Sequence, residues 1–153
     1  MQFDIQPIEN IVAKFAEAYK QQLISDGKKA TGNLINSVRG YVEYKGTVLS
    51  VVIDVADYWR YVEYGRRPGK FPPIDKIRQW IKVKPVLPRP GKNGKLPTEN
   101  QLAFLIARKI AKKGIPATHS LSKTVNSFNL RSQIMKELER QVVKEIKNTY
   151  INK

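Results

Sequence analysis

The positive charge of this 153-residue chain is concentrated in one third of its length. Residues 65–116 contain fourteen Lys and Arg against two Asp and Glu, which gives +12 of the total net charge of +15. Residues 1–64 sum to −1. The basic third is also the richest in Pro and Gly, and their density over residues 83–97 predicts an extended basic arm rather than a helix or strand. Such a surface faces a negatively charged partner or is neutralised by a neighbouring protein.

Length and composition predict a single domain spanning residues 1–153, because the chain is 41% apolar and long enough for one core. It has no cysteine, which excludes disulfides and thiolate metal sites, and its one histidine, His119, disfavours histidine-based chemistry. No apolar run approaches the about 20 residues that cross a membrane, and the N-terminus does not resemble a signal peptide. We expect a soluble protein of a reducing compartment, or of a particle assembled there, with no membrane partner.

Hydrophobic spacing predicts an α+β fold, in which a small antiparallel sheet packs against an N-terminal helix and long C-terminal helices. Apolar residues at intervals of three and four predict the helices. They are expected at 8–25, 74–81, after the capping box Thr98–Gln101 and over about twenty residues from Leu130, with shorter turns at 31–38 and 57–64. Two β-rich runs around Lys45-Gly46 predict a hairpin. One face of its second strand is strongly apolar, and we expect the N-terminal helix to cover it.

Two sets of side chains are predicted to matter most. The predicted structural core contains Trp80, Ile81, Tyr61, Ile106 and Ile110. The predicted partner-facing or phosphate-facing surface contains Arg66, Arg67, Lys70, Arg89, Lys92 and Lys95. These cations either meet phosphates, which gives affinity without sequence choice, or dock the arm on an acidic protein surface.

No set of residues predicts an active site, a metal or a cofactor. His119 has Ser120, Ser122 and Thr124 nearby, but a lone histidine in a polar loop is usually ordinary surface. The clustered acids Glu43, Asp54, Asp57 and Glu63 are the only candidates for Mg²⁺, and pairing with the excess Lys and Arg is the simpler role. The aromatic cluster Tyr58, Trp59, Tyr61 and Tyr64 lies in the near-neutral third, which favours packing over base stacking.

Several short motifs occur in an order that resembles the small head–tail joining proteins, or neck and tail-completion proteins, of tailed bacteriophages. They are Thr31-Gly32-Asn33-Leu34, Tyr61-Val62-Glu63-Tyr64-Gly65, Pro73, Trp80-Ile81 and the run from Ile106 to Ala117 that ends in Gly-Ile-Pro-Ala. The resemblance covers roughly residues 30–125. The chain departs from the family where an aromatic often follows Gly-Ile-Pro, since it has Ala117 to Leu121 there, and its loop 83–97 is longer and richer in Pro.

The resemblance implies a non-enzymatic ring subunit of the virion neck, assembled in the cytoplasm of the infected cell. It implies a ring of twelve copies, or alternatively six, that binds the portal-side adaptor and tail proteins, with transient contact to DNA in the channel. The main alternative from the residues themselves is a non-specific nucleic-acid-binding basic protein. A nuclease that uses Asp54, Asp57 and Glu63 with Mg²⁺ is the least favoured hypothesis.

Overall fold

A computed structural model of the chain describes residues 3–28, 32–83 and 86–150. Within these ranges there are seven helices and two strands. They are α1 (Gln6–Ser25), α2 (Asn33–Ser37), β1 (Arg39–Lys45), β2 (Val48–Asp54), α3 (Trp59–Tyr64), α4 (Ile74–Val83), α5 (Glu99–Lys113), α6 (Ser120–Phe128) and α7 (Leu130–Tyr150). The predicted α+β class is confirmed. None of the helices in the described ranges has the length and apolar character needed to span a membrane.

The sheet is a single hairpin that lies on the N-terminal helix. β1 and β2 pair antiparallel, with Gly40 opposite Ile53, and paired residues point to the same face of a sheet. A Cβ atom on Gly40 would lie 2.8 Å from Val12 Cγ1 and 2.9 Å from the Val12 carbonyl oxygen. The face that carries Ile53 is therefore in direct contact with α1, and the predicted covering of this apolar face by the N-terminal helix is confirmed.

Helix α1 supplies most of the buried core, because its apolar residues recur every three or four positions along one side. The α1 residues that are at most 1% exposed are Ile8, Val12, Phe15, Tyr19 and Leu23. α6 and α7 also pack against α1, and the rings of Phe15 and Phe128 meet edge to face with centroids 5.5 Å apart. The core thus lies between the hairpin and the two C-terminal helices, with α1 at its centre.

The predicted core set of Trp80, Ile81, Tyr61, Ile106 and Ile110 is wrong. Tyr61 is 59% exposed, and the other four side chains are only partly buried. The reason is that α4 packs against α5 rather than on α1. Its apolar stripe therefore contributes to a second helix–helix contact, outside the core around α1.

Helix α6 occupies a stretch in which the sequence predicts a polar loop around His119. Residues 120–128 are rich in Ser, Thr and Asn, which are weak helix formers because their side chains compete for backbone hydrogen bonds. The first turn of α6 is instead completed by carboxylates from distant parts of the chain. Its formation therefore depends on tertiary contacts.

Candidate interaction surface

The loop after α3 is fixed to the end of α5 by backbone hydrogen bonds. Arg66 and Ile115 exchange both of their N–H···O bonds, at 2.9 and 2.8 Å, and the Gly69 N–H donates to the Ala111 carbonyl at 2.8 Å. The Arg66 guanidinium also donates to the Lys70 carbonyl at 2.9 Å. Arg66 is therefore held in a rigid connection and is not part of a free arm.

Glu63 is the one acidic residue that the described structure buries completely, at 1% exposure. Its carboxylate accepts hydrogen bonds from the Leu121 N–H at 2.8 Å, from the Ser122 N–H at 3.0 Å and from the Ser122 hydroxyl. These N–H groups belong to the first turn of α6, where the helix dipole also favours a negative charge. The expectation that Glu63 pairs with Lys or Arg is wrong for that reason.

The same helix end is held from the other side by Asp26. Its carboxylate accepts from the Ser120 hydroxyl at 2.7 Å, from the Lys123 ammonium at 2.9 Å and from the Gln22 amide at 3.1 Å. Burial of the Asp26 carboxyl opposes ionisation, but these hydrogen bonds outweigh it and hold the pKa of Asp26 below its usual value. Two carboxylates from different parts of the chain thus fix the start of α6.

The hydroxyls near His119 form hydrogen bonds within this same junction. Ser120 donates to Asp26, Ser122 donates to Glu63, and Thr124 donates to the Ser120 carbonyl at 2.8 Å. His119 itself is exposed and stands just before α6 with a φ of 52°. In the described part of the chain, no three His, Asp or Glu side chains are grouped as metal ligands would be.

Asp26→Asn is expected to lower the free energy of unfolding by about 1–2 kcal/mol near neutral pH, because the ion pair with Lys123 and the charge-assisted bonds are lost. The pKa of Asp26 is lower in the folded than in the unfolded chain. The contribution of Asp26 to folding stability is therefore complete above its unfolded-state pKa of 3.8 and is lost as the pH falls through its lowered folded-state pKa. Urea unfolding at several pH values should show the difference between the two proteins closing in acid. An unchanged difference down to the lowest pH would contradict this role, and Glu139→Gln is the exposed control.

The predicted basic surface is divided between two places. Arg66 lines a groove beside α4, whereas Arg89 and Lys95 line a second concavity against the first half of α5. The rings of Phe71 and Phe104, with centroids 5.4 Å apart, join the loop after α3 to α5. The exposed members of the predicted basic set are Arg67, Lys70, Arg89, Lys92 and Lys95.

The predicted arm 83–97 begins too early, because Val83 is the last residue of α4, whereas residues 86–97 contain no helix or strand. The Gly91 N–H donates to the Lys95 carbonyl and the Gly94 N–H to the Gly91 carbonyl, both at 2.9 Å, and these two bonds close a tight turn. Leu87 is 90% exposed. Residues 84 and 85 lie outside the described residues, as does Thr31 of the Thr-Gly-x-Leu motif.

A groove of about 640 Å³ opens between α3, α4 and α5. Four of the five side chains that the sequence places in the core contribute to its apolar lining. The residues that line it include Tyr58, Tyr61, Val62, Ile77, Trp80, Ile106, Ile110 and Ile115, together with Lys28, Arg66 and Lys76. The periodicity of α4 and α5 correctly identified apolar stripes, but periodicity does not report whether a stripe is covered by the same chain.

Both the buried carboxylate junction and the groove were missed from the sequence. Glu63 directly follows the apolar Val62, but the N–H groups that it binds lie 58 and 59 residues further along the chain. Partners at that separation leave no pattern in the local sequence. No protein-family model, curated protein or solved structure matches the chain in comparison.

Proposed function

We propose that the chain is a structural, non-enzymatic subunit of the neck of a tailed bacteriophage. It forms a ring of twelve copies, or alternatively six, that joins the portal-side adaptor to tail proteins around the DNA channel. The ring is assembled in the cytoplasm of the infected cell and becomes part of the virion.

The observation that carries this proposal is the junction between two of the motifs that the chain shares with that family. The Tyr-Val-Glu-Tyr-Gly motif and the Gly-Ile-Pro-Ala end of the other motif lie far apart in sequence. They meet through the paired backbone bonds of Arg66 and Ile115 and through Glu63 at the start of α6. Motif residues that join two distant segments of the chain stabilise the fold, and this role is expected of motifs in a structural subunit. The Glu63 carboxylate of the first motif is occupied by hydrogen bonds to the start of α6.

The charge distribution supports a ring as well. A closed ring uses head-to-tail contacts, so each subunit needs two different faces. The near-neutral part with α1 and the hairpin provides one face, and the cationic segment 65–116 provides a chemically different one.

The test is to purify the full chain with the adaptor protein encoded in the same genome and to measure the mass and shape of the complex. We expect a closed ring of twelve or six copies by native mass spectrometry and electron microscopy, and we expect the chain in the neck of purified particles. A monomer that never joins the adaptor, or a particle that lacks the chain, would contradict the proposal.

Deleting residues 86–95 is expected to weaken ring assembly and to leave the fold intact. The turn at Gly91 to Lys95 is closed by its own backbone bonds, so its removal leaves the α1 core unchanged. Circular dichroism and the urea midpoint should match those of the full chain, while the fraction in rings falls. A Gly/Ser replacement of equal length is the matched control for loop length. Unfolding on deletion would instead make the arm part of the scaffold.

A second candidate function is non-specific binding of nucleic acid, favoured by the exposed cations Arg67, Lys70, Arg89, Lys92 and Lys95. A protein that binds phosphates loses affinity steeply as salt rises, by about 10³–10⁵ between 50 and 200 mM for six to ten contacts. Duplex DNA titrated with the chain at both salt concentrations distinguishes the two functions. High affinity near physiological salt without ring formation would favour this candidate.

A further inference from the structure

We propose that the groove between α3, α4 and α5 is a docking site for an acidic, amphipathic segment of another protein. This inference rests on the proposed function and names the chemistry of one partner contact in the neck. The occupant contributes apolar side chains to the floor of the groove and carboxylates to its rim.

The floor of the groove is built for apolar side chains. It combines Ile77 and Trp80 of α4 with Ile106 and Ile110 of α5 and with Ile115 beyond α5. These side chains are partly exposed in the single chain, although isoleucine and tryptophan gain most from being covered. An open apolar groove of about 640 Å³ within a chain that has a separate buried core is typical of a binding surface.

The charges around the groove favour an occupant with negative charge. Lys28, Arg66 and Lys76 contribute to its lining, and none of the described lining residues is acidic. Lys28 and Lys76 form no ion pair with a described acidic residue; in the described part of segment 65–116, the salt bridges are those of Arg78 and Lys82 with Asp75 and Glu99. A partner that brings carboxylates to this rim gains attraction and faster association, and a basic partner is repelled.

A second copy of this chain fits the groove less well. One apolar helical surface that a second copy could offer is the end of α7, where Val143, Ile146 and Tyr150 are exposed. This segment contains Lys144 and Lys147 against Glu145, so it would bring a net positive charge to a cationic rim.

Nucleic acid is also less suited to this groove. Phosphates would be attracted to Lys28, Arg66 and Lys76, but four of the five floor side chains are isoleucines, which leaves Trp80 as the one aromatic ring of the floor on which a base could stack. The exposed aromatic rings at the edge, Tyr58 and Tyr61, are next to that floor and suit contact with apolar side chains equally well. Apolar lining and cationic rim together therefore select an acidic peptide.

The probe is a displayed library of random 16-residue peptides, selected on the full chain at physiological salt. Enriched peptides should combine several Asp or Glu with Leu, Ile, Phe or Trp. Each is then titrated as a labelled peptide against three proteins, namely the unchanged chain, Lys76→Glu and Lys136→Glu. The two variants change the net charge equally, but only Lys76 lines the groove, whereas Lys136 is exposed on α7. We expect Lys76→Glu to weaken binding at least tenfold and Lys136→Glu to change it less than threefold.

A second measurement locates the peptide independently of charge. In a Trp59→Phe background, Trp80 is the remaining tryptophan, and its emission should shift to shorter wavelength as the peptide covers the groove. Unfolding curves of all variants confirm that they are folded.

The proposal is overturned by equal loss of affinity in both charge variants, by an unchanged Trp80 emission, or by enrichment of peptides without carboxylates. It is also overturned if oligo(dT) outcompetes the peptide, or if the free chain fills the groove by self-association that Lys76→Glu abolishes. A ring that forms normally alongside any of these results would leave the proposed function standing while this inference fails.

Discussion

Glu63→Ala is expected to lower the free energy of unfolding by about 3–4 kcal/mol, because it removes the carboxylate that completes the first turn of α6. The Leu121 and Ser122 N–H groups lose their acceptor, and so does the Ser122 hydroxyl. Hydrogen bonds to a charged group contribute more than neutral ones, and a donor left unpaired in a buried site carries its full desolvation cost. Urea unfolding followed by circular dichroism measures the change.

Two further variants separate the loss of charge from the loss of shape. Glu63→Gln keeps the volume and one acceptor oxygen, so we expect it to cost roughly half as much. Glu139→Ala removes an exposed acid from α7 and should stay within about 0.5 kcal/mol of the unchanged chain. If Glu63→Ala were as mild as Glu139→Ala, the start of α6 would not depend on this carboxylate.

The Tyr19 hydroxyl is buried in the same core and is affected by Glu63 as well. Desolvation, with a smaller contribution from the negative charge of Glu63, raises the pKa of the Tyr19 hydroxyl to about 12. That hydroxyl has no hydrogen-bond partner among the described residues, although the side chain is fully buried. Tyr19 therefore stays neutral in the core near neutral pH, and Glu63 is the only acidic or basic residue that the described structure buries there.

The elements that could be predicted from the sequence are those whose signals are local. Helix α5 begins with the predicted capping box, in which the Gln101 side chain accepts from the Thr98 N–H at 2.9 Å and the Thr98 hydroxyl accepts from the Gln101 N–H at 3.3 Å. The hairpin turns at Gly46, and α7 runs from Leu130 as expected. Capping, turn chemistry and hydrophobic period each depend on residues within a few positions of one another.

The parts that could not be predicted depend on residues far apart in the chain. Helix α6 has weak intrinsic propensity and is fixed by Asp26 and Glu63, whose partners are distant in sequence. The groove was mistaken for core because Trp80 and Ile110 lie on regular apolar stripes, and a stripe looks the same whether its cover is the same chain or another protein. Local sequence patterns therefore predict the helices and strands. Long-range contacts determine how these elements pack and which of their surfaces remain open.

Gly65→Ala is expected to have the largest effect of any single substitution considered, about 4 kcal/mol or more. Gly65 has φ +71° and ψ −165°, a backbone region that is open almost only to glycine. An added Cβ atom would overlap the Ile115 carbonyl oxygen and lie 2.7 Å from the Ala117 nitrogen. These backbone atoms cannot withdraw without breaking the paired bonds between Arg66 and Ile115.

Gly114 is the counterpart of Gly65 on the opposite side of the same junction. It has φ +73° and ψ −165°, and an added Cβ atom would overlap the Arg66 carbonyl oxygen. We therefore expect Gly114→Ala to unfold the chain to a similar extent, with both variants losing stability in urea and heat. Gly94→Ala is the matched control, because Gly94 also has φ +71° but its Cβ would meet nothing within 4 Å, so only the local strain of about 1–2 kcal/mol remains. Equal losses in all three variants would mean that backbone conformation alone, and not the close approach of the two segments, makes glycine necessary at the junction.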